Sequence, residues 1–264
     1  MIEFFRSRRR ARLREAPFPA DWQRIVDRNV AVFRRLSPED QRELLGHTQV
    51  LLAEKHFEGC GGLVLTDEIR VTIAAEASVL LLHRNTDYYP RLTSILVYPD
   101  TYVVPEERPI GGGIWEDGDE ARLGHTAPQL GALVIAWGAA LHGARTADDG
   151  DNVVFHEFAH QLDFEDDNVD GTPPLDSRLY RTWARVLTPE YEALRRARET
   201  GAPTLINQYG AKNPAEFFAV ITELFFERPR ELRERHGALY EELRSFYCQD
   251  PASWKDVGGA ASGA

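Results

Sequence analysis

Residues 153–163 read VVFHEFAHQLD, and no other stretch restricts the fold as tightly. His156 and His160 stand four apart, which on an α-helix puts both imidazoles on one face, a turn from each other. Glu157 then projects about 100° round the helix from His156. Val154, Phe155, Phe158, Ala159 and Leu162 make the other faces apolar, so this helix must be packed within a core. Asp151 or Asn152, in the preceding DDGDN, supplies its N-cap. Composition alone yields an HExxH at most about 0.04 times in such a chain, even with any acid allowed at the second position, so the pattern points to chemistry.

Two imidazoles from one helical turn, with a third protein ligand, leave a zinc ion one open position. There the ion lowers the pKa of water and polarises a carbonyl, while Glu157 is placed to take the water's proton and pass it to a leaving amine. The third ligand is less determined. Asp163 completes HExxHxxD and lies on the histidine face, placed to orient a ligand. Asp166 stands where a longer HExxHxxGxxH motif would carry histidine, which disfavours that class, and His236 in RERHGAL reads as a surface residue. Glu216 and Glu223 belong to YGAKNPAEFFAVITELFFERP (Tyr209 to Pro229), a second apolar helix with Asn213 at the N-cap and Pro214 at its first position. Glu216 there can close a capping box onto Asn213, a structural role that needs no metal. An acid on so apolar a helix still needs a partner, and both glutamates remain open as ligands, Glu216 ahead of Glu223. Tyr209 could donate to an oxyanion, but by itself it reads as a half-buried packing residue.

The rest of the chain bounds the function further. With 42 acidic and 31 basic residues the net charge is −11, which disfavours a general nucleic-acid binder. None of the three lysines follows a GxxxxG frame, which excludes a P-loop. Cys60 and Cys248 lie outside any CxxC spacing, as in a reduced, cytoplasmic chain without a disulfide scaffold. No apolar run approaches the ~20 residues of a membrane span. Residues 1–20 form a basic leader, with six arginines before Pro17, that lacks the apolar stretch of a signal peptide and reads as a solvated terminus. Phe4 and Phe5 beside those arginines could touch an anionic surface or an acidic partner.

Ser37–Pro38 starts a helix running to about Phe57, Gly59 to Gly62 make a turn, and 69–82 are mostly helical. Residues 94–104 and 132–137 read as strands, with a loop or irregular hairpin over 111–124. Beyond 151 the chain is mostly helical, with starts near Asn152, Thr188 and Asn213. The organisation is a single α+β domain over 21–255, with an N-terminal part 21–130, a catalytic core 131–255, and a flexible tail 256–264.

HEFAHQLD, the loop DNVDGTPPL, YGAKNPAEFFAVITELFFERP, ILVYPDTYVV and GALVIAW together resemble the Mlc titration factor A (MtfA) family of bacterial zinc peptidases. The likeness is good from about residue 90 to residue 255. It implies a zincin-like fold with a small mixed sheet, an HExxH active-site helix and a mostly helical C-terminal half. It also implies one zinc ion on His156, His160 and Glu216, Glu157 as general base, Tyr209 as a transition-state stabiliser, and an aminopeptidase-like reaction on peptides. On that basis ALVIAW borders the cleft and a peptide substrate adds to it as a strand. The acids Asp163, Glu165, Asp166, Asp167 and Asp170 offer a hold for the substrate's ammonium, or form a solvated turn. The same resemblance carries a second role, sequestering a transcriptional repressor through protein contact, with incidental peptidase activity. Glu157 favours the enzyme, because a structural zinc site has no use for that base.

Overall fold

The computed structural model describes residues 2–100, 102–111, 114–122, 124–127 and 131–255. Helices α1 (Ile2–Glu15), α2 (Ala20–Asn29) and α3 (Pro38–Glu54) lead into strand β1 (His56–Gly59) and helix α4 (Asp67–Val79). Strands β2 (Ser94–Tyr98), β3 (Tyr102–Gly111), β4 (Ile114–Arg122), β5 (Gly124–Ala127) and β6 (Ala132–Ala136) follow. From there the chain is helical: α5 (Trp137–Arg145), α6 (Val153–Asp163), α7 (Tyr180–Thr200), α8 (Pro214–Glu227), α9 (Pro229–Arg235) and α10 (Gly237–Tyr247).

β1, β2 and β6 lie side by side in parallel, and β5 closes the far edge antiparallel to β6. Ile95 pairs with Leu133 and Val97 with Ile135, so alternate residues of both strands enter the core. β3 and β4 form a separate antiparallel hairpin whose register shifts between Pro109 and Gly111. Two sequence expectations change here. β6 is hydrogen-bonded on both sides, by β2 and β5, so it has no free edge for a substrate strand. Phe57 belongs to β1, because the chain leaves the helical conformation at Lys55. A strand of four residues is too short to announce itself by alternation.

Helix starts follow their caps where packing agrees with them. Ser37 Oγ accepts from the Asp40 amide at 3.1 Å, and Asn213 Oδ1 accepts from the Glu216 amide at 2.9 Å. Thr188 starts nothing: α7 begins at Tyr180 and carries Pro189 in its interior. Trp183, Leu187 and Leu194 bury one stripe of that helix, and Trp183 stacks edge-on against Phe218 and Phe246 at 5.8 and 5.7 Å. Three buried anchors, each worth about 1.5–3 kcal/mol, outweigh a local Thr–Pro signal. One core runs from Val26 to Ala252, with Phe226 placed 5.3 Å from Phe155 and 5.0 Å from Tyr247. The first contact lays α8 against α6, and the second sets the end of α10 on α8.

The arginine-rich start is only partly a solvated terminus: it forms helix α1, which lies against α3 while Arg6, Arg8, Arg9, Arg12 and Arg14 stay exposed. Arg10, 12 % exposed at its side chain, donates to both Glu54 oxygens at 2.9 and 2.8 Å and also to Asp87. Gly46 of α3 permits the approach, since a Cβ there would sit 3.2 Å from Arg14 Cβ and its carbonyl oxygen. Two acids from separate elements thus immobilise a side chain that composition alone would leave in water. The tail 256–264 lies outside the described residues.

Candidate metal centre

The site is built from the start of α6 outward. Asn152 Oδ1 accepts from the Val154 and Phe155 amides, both at 3.1 Å, which fixes the first turn. Its own amide donates to Glu223 Oε2 at 2.7 Å, and its Nδ2 donates to Glu76 Oε2 at 2.8 Å. Glu227 Oε2 takes the Gly150 and Asp151 amides at 2.8 and 3.1 Å. Glu223 and Glu227, one turn apart on α8, therefore clamp the backbone leading into α6. Gly171, in the loop after α6, has φ +80°, and a Cβ there would collide with the Pro214 carbonyl at the start of α8. α6 is thus tied to α8 at both ends.

Between the two helices the predicted donors meet. His156 Nε2 lies 3.0 Å and His160 Nε2 3.4 Å from Glu216 Oε2. One ligand atom from each of the three residues falls within 4.8 Å of the others. Glu216 uses its amide for the Asn213 cap but turns its carboxylate to the histidines, so the capping box is only half made. Glu223 is not in this group; its Oε1 accepts from His156 Nδ1 at 2.7 Å. That hydrogen bond fixes the tautomer and leaves Nε2 free to point at Glu216. Tyr209, 44 % exposed, donates from its hydroxyl to Glu216 Oε1 at 3.2 Å, and its ring centroid is 6.0 Å from that of His156. The sequence alone prefers a packing role for this phenol; the structure puts it at the mouth of the site.

Burial acts to lower the His156 pKa, but Glu223 and Glu216 outweigh it and hold the imidazole well above its usual value. Burial acts to raise Glu216, yet hydrogen bonds from His156 and His160 hold it far below the carboxylate range. Glu157 is buried on α6 next to His156. Asp163 is buried too: its Oδ2 takes the Gly171 amide at 2.8 Å, and burial pushes its pKa up to about 6. Both Asp163 Oδ1 and His160 Nδ1 are enclosed without a hydrogen-bond partner. His236 pairs instead with Glu190 at 2.8 Å. The acidic loop mostly satisfies itself, with Asp166 and Asp170 accepting from amides two residues on and Asp167 paired with Arg91. Glu76 and Glu227 were not legible as part of this neighbourhood; the available signal was an acid inside the apolar run TIAAEASVL.

The sequence model of a family described as Glucose-regulated metallo-peptidase M90 matches residues 4–248. The chain belongs to this family. Among its relatives are the uncharacterized protein slr2042 of Synechocystis sp., 42 % identical over 92 % of this chain and 89 % of that protein. Mlc titration factor A of Yersinia pestis is 28 % identical over 90 % of this chain and 87 % of its own length, and the Yersinia pseudotuberculosis protein of that name matches equally. The M90 assignment makes the chain a metallopeptidase-type protein, so a metal ion is implied. The donor set fits one. Tetrahedral ligands each ~2.0–2.1 Å from a common ion stand about 3.3–3.4 Å apart, close to the 3.0 and 3.4 Å separations from Glu216 Oε2. Two neutral-capable imidazoles and one carboxylate are what such an ion takes. Among the described residues no helix is long and apolar enough to cross a membrane.

Proposed function

We propose that the protein is a cytoplasmic zinc-dependent peptidase acting in an aminopeptidase-like manner, with His156, His160 and Glu216 as the protein ligands. The carrying observation is the convergence of two histidine Nε2 atoms and one glutamate oxygen from two clamped helices. Zinc, when bound, supplies Lewis acidity toward a substrate carbonyl and lowers the pKa of water. Glu157 accepts a proton from the attacking water and delivers it to the leaving amine. Tyr209 donates its hydroxyl hydrogen bond to the oxygen that gains negative charge as the carbonyl becomes tetrahedral. Glu223 keeps His156 oriented, and the apolar packing round α6 keeps the ligand face from reorganising.

Metal analysis of the purified protein tests the ligands, with about one zinc per chain expected. Glu157→Gln tests the base: the metal stays and peptide hydrolysis is lost. A metal-free protein, or full activity in that variant, defeats the proposal. A second role rests on the relatives named for titrating Mlc, and through them a repressor protein is proposed as a further partner. Co-purification with such a repressor in the Glu157→Gln background separates that role from catalysis.

A further inference from the structure

Four arginines meet at a cavity that the peptidase chemistry does not use. Arg6, Arg10 and Arg14, on successive turns of α1, join Arg84 from the segment between α4 and β2 in lining a space of about 320 Å³. Its other walls are Ser7, Asn85, Thr86, Asp87 and Tyr88, so Asp87 is the one acid among the lining residues. Asp87 accepts from Arg6 at 2.7 Å and also holds Arg10, whose guanidinium is further engaged with Glu54. Neither Arg14 nor Arg84 has an acid within ion-pair distance among the described residues, and the charge of Arg84 acts on Glu165, whose pKa burial raises and the guanidinium lowers. Arg84 lies over the Phe246 ring at 4.2 Å, and its Nη1 is enclosed with no hydrogen-bond partner. An enclosed cationic donor without a partner is costly, and the exposed Arg14 guanidinium places a second positive charge on the wall of the same cavity. In a chain of net charge −11, this is a local concentration of the opposite sign.

We propose that this cavity binds the phosphate group of a phosphomonoester, with Arg14 and Arg84 as its clamps. A dianionic phosphate balances two unpaired guanidiniums, where a single carboxylate would leave one unmatched. Its oxygens also match the planar donor fork of arginine. The donors of Ser7, Asn85 and Thr86 complete a polar lining. The group can arrive on a soluble metabolite or on a lipid headgroup. Phe4 and Phe5, 57 % and 62 % exposed on the first turns of the same helix, would meet the bilayer in the second case.

The test uses the full-length protein at constant ionic strength. Inorganic phosphate and glycerol 3-phosphate are titrated against chloride while the thermal midpoint is followed, and flotation is measured with phosphatidylcholine vesicles with and without phosphatidic acid. Arg14→Gln should weaken binding at least about tenfold, the loss expected when a charge-assisted pair is removed, and Arg84→Lys, which keeps the charge but loses the planar donor fork, should weaken it measurably but less. Arg84→Lys keeps the cation over Phe246 and guards against a mere folding defect. Arg12→Gln, an equal charge loss outside the cavity, should bind as the parent does. Binding to the soluble probes, or to phosphatidic acid vesicles alone, supports the site and identifies the source. No binding to either, or equal weakening in Arg12→Gln, overturns it. Peptide hydrolysis should be unchanged in all three variants.

Discussion

At the scale of single residues, the His156 imidazole is held from two sides. Glu223 accepts a hydrogen bond from its Nδ1 at 2.7 Å and Glu216 stands 3.0 Å from its Nε2. Replacing Glu223 by glutamine keeps the shape but removes the charge that makes His156 a strong donor. Zinc affinity should fall about 10–100-fold, as measured by competition with a chromogenic chelator. Tyr209→Phe has a different signature, because it removes only the hydroxyl that reaches Glu216 and leaves the half-exposed ring beside His156 in place. Metal content should be unchanged while kcat drops by about 100-fold or more. Either variant behaving like the parent removes the corresponding role. The histidines were readable in the sequence because helical spacing places side chains on faces. Glu216 stood only ahead of Glu223 there, since seven residues bring both to nearly the same face and the neighbouring helix is what separates them.

At the scale of elements, Asn152 joins three structures. It caps α6, binds Glu223 on α8 and binds Glu76 on α4. Asn152→Ala removes the cap and leaves Glu76 Oε2 enclosed without its donor, so a loss of about 2–4 kcal/mol in urea unfolding is expected. Zinc affinity should weaken in parallel, because the first turn of α6 carries His156. A stability loss below about 0.5 kcal/mol would show that the cap is dispensable. Local signals served well wherever a cap and a buried stripe coincide, as at Ser37, Asn152 and Asn213. They failed at Thr188, where Trp183 and its ring partners extend the helix upstream, and at α1, where the partners Glu54 and Asp87 lie far along the chain. Distant ion pairs leave no periodic trace.

At the scale of the whole molecule, buried acids set how stability responds to pH. Burial raises Glu76 from 4.5 to about 7, with its Asn152 hydrogen bond opposing the rise. Burial and the nearby Asp149 raise Glu227 to about 10. Folded protein keeps these protons after the unfolded chain has released them. Their contribution is therefore full below about pH 4.5 and is lost as pH rises, through about 7 for Glu76 and about 10 for Glu227. Between about pH 5 and pH 8 the parent should lose about 3 kcal/mol more than Glu76→Gln, which keeps the Asn152 hydrogen bond but cannot ionise. Equal pH slopes in the two proteins would refute this account. Gly171 has a consequence of another kind. Its contact with the Pro214 carbonyl makes Phe164 to Gly171 a strap whose length is set by the gap between the end of α6 and the start of α8. Insertions should be tolerated after Gly171, before α7 begins, and rejected within the strap, which gives the connection one adjustable end and one that acts as a ruler.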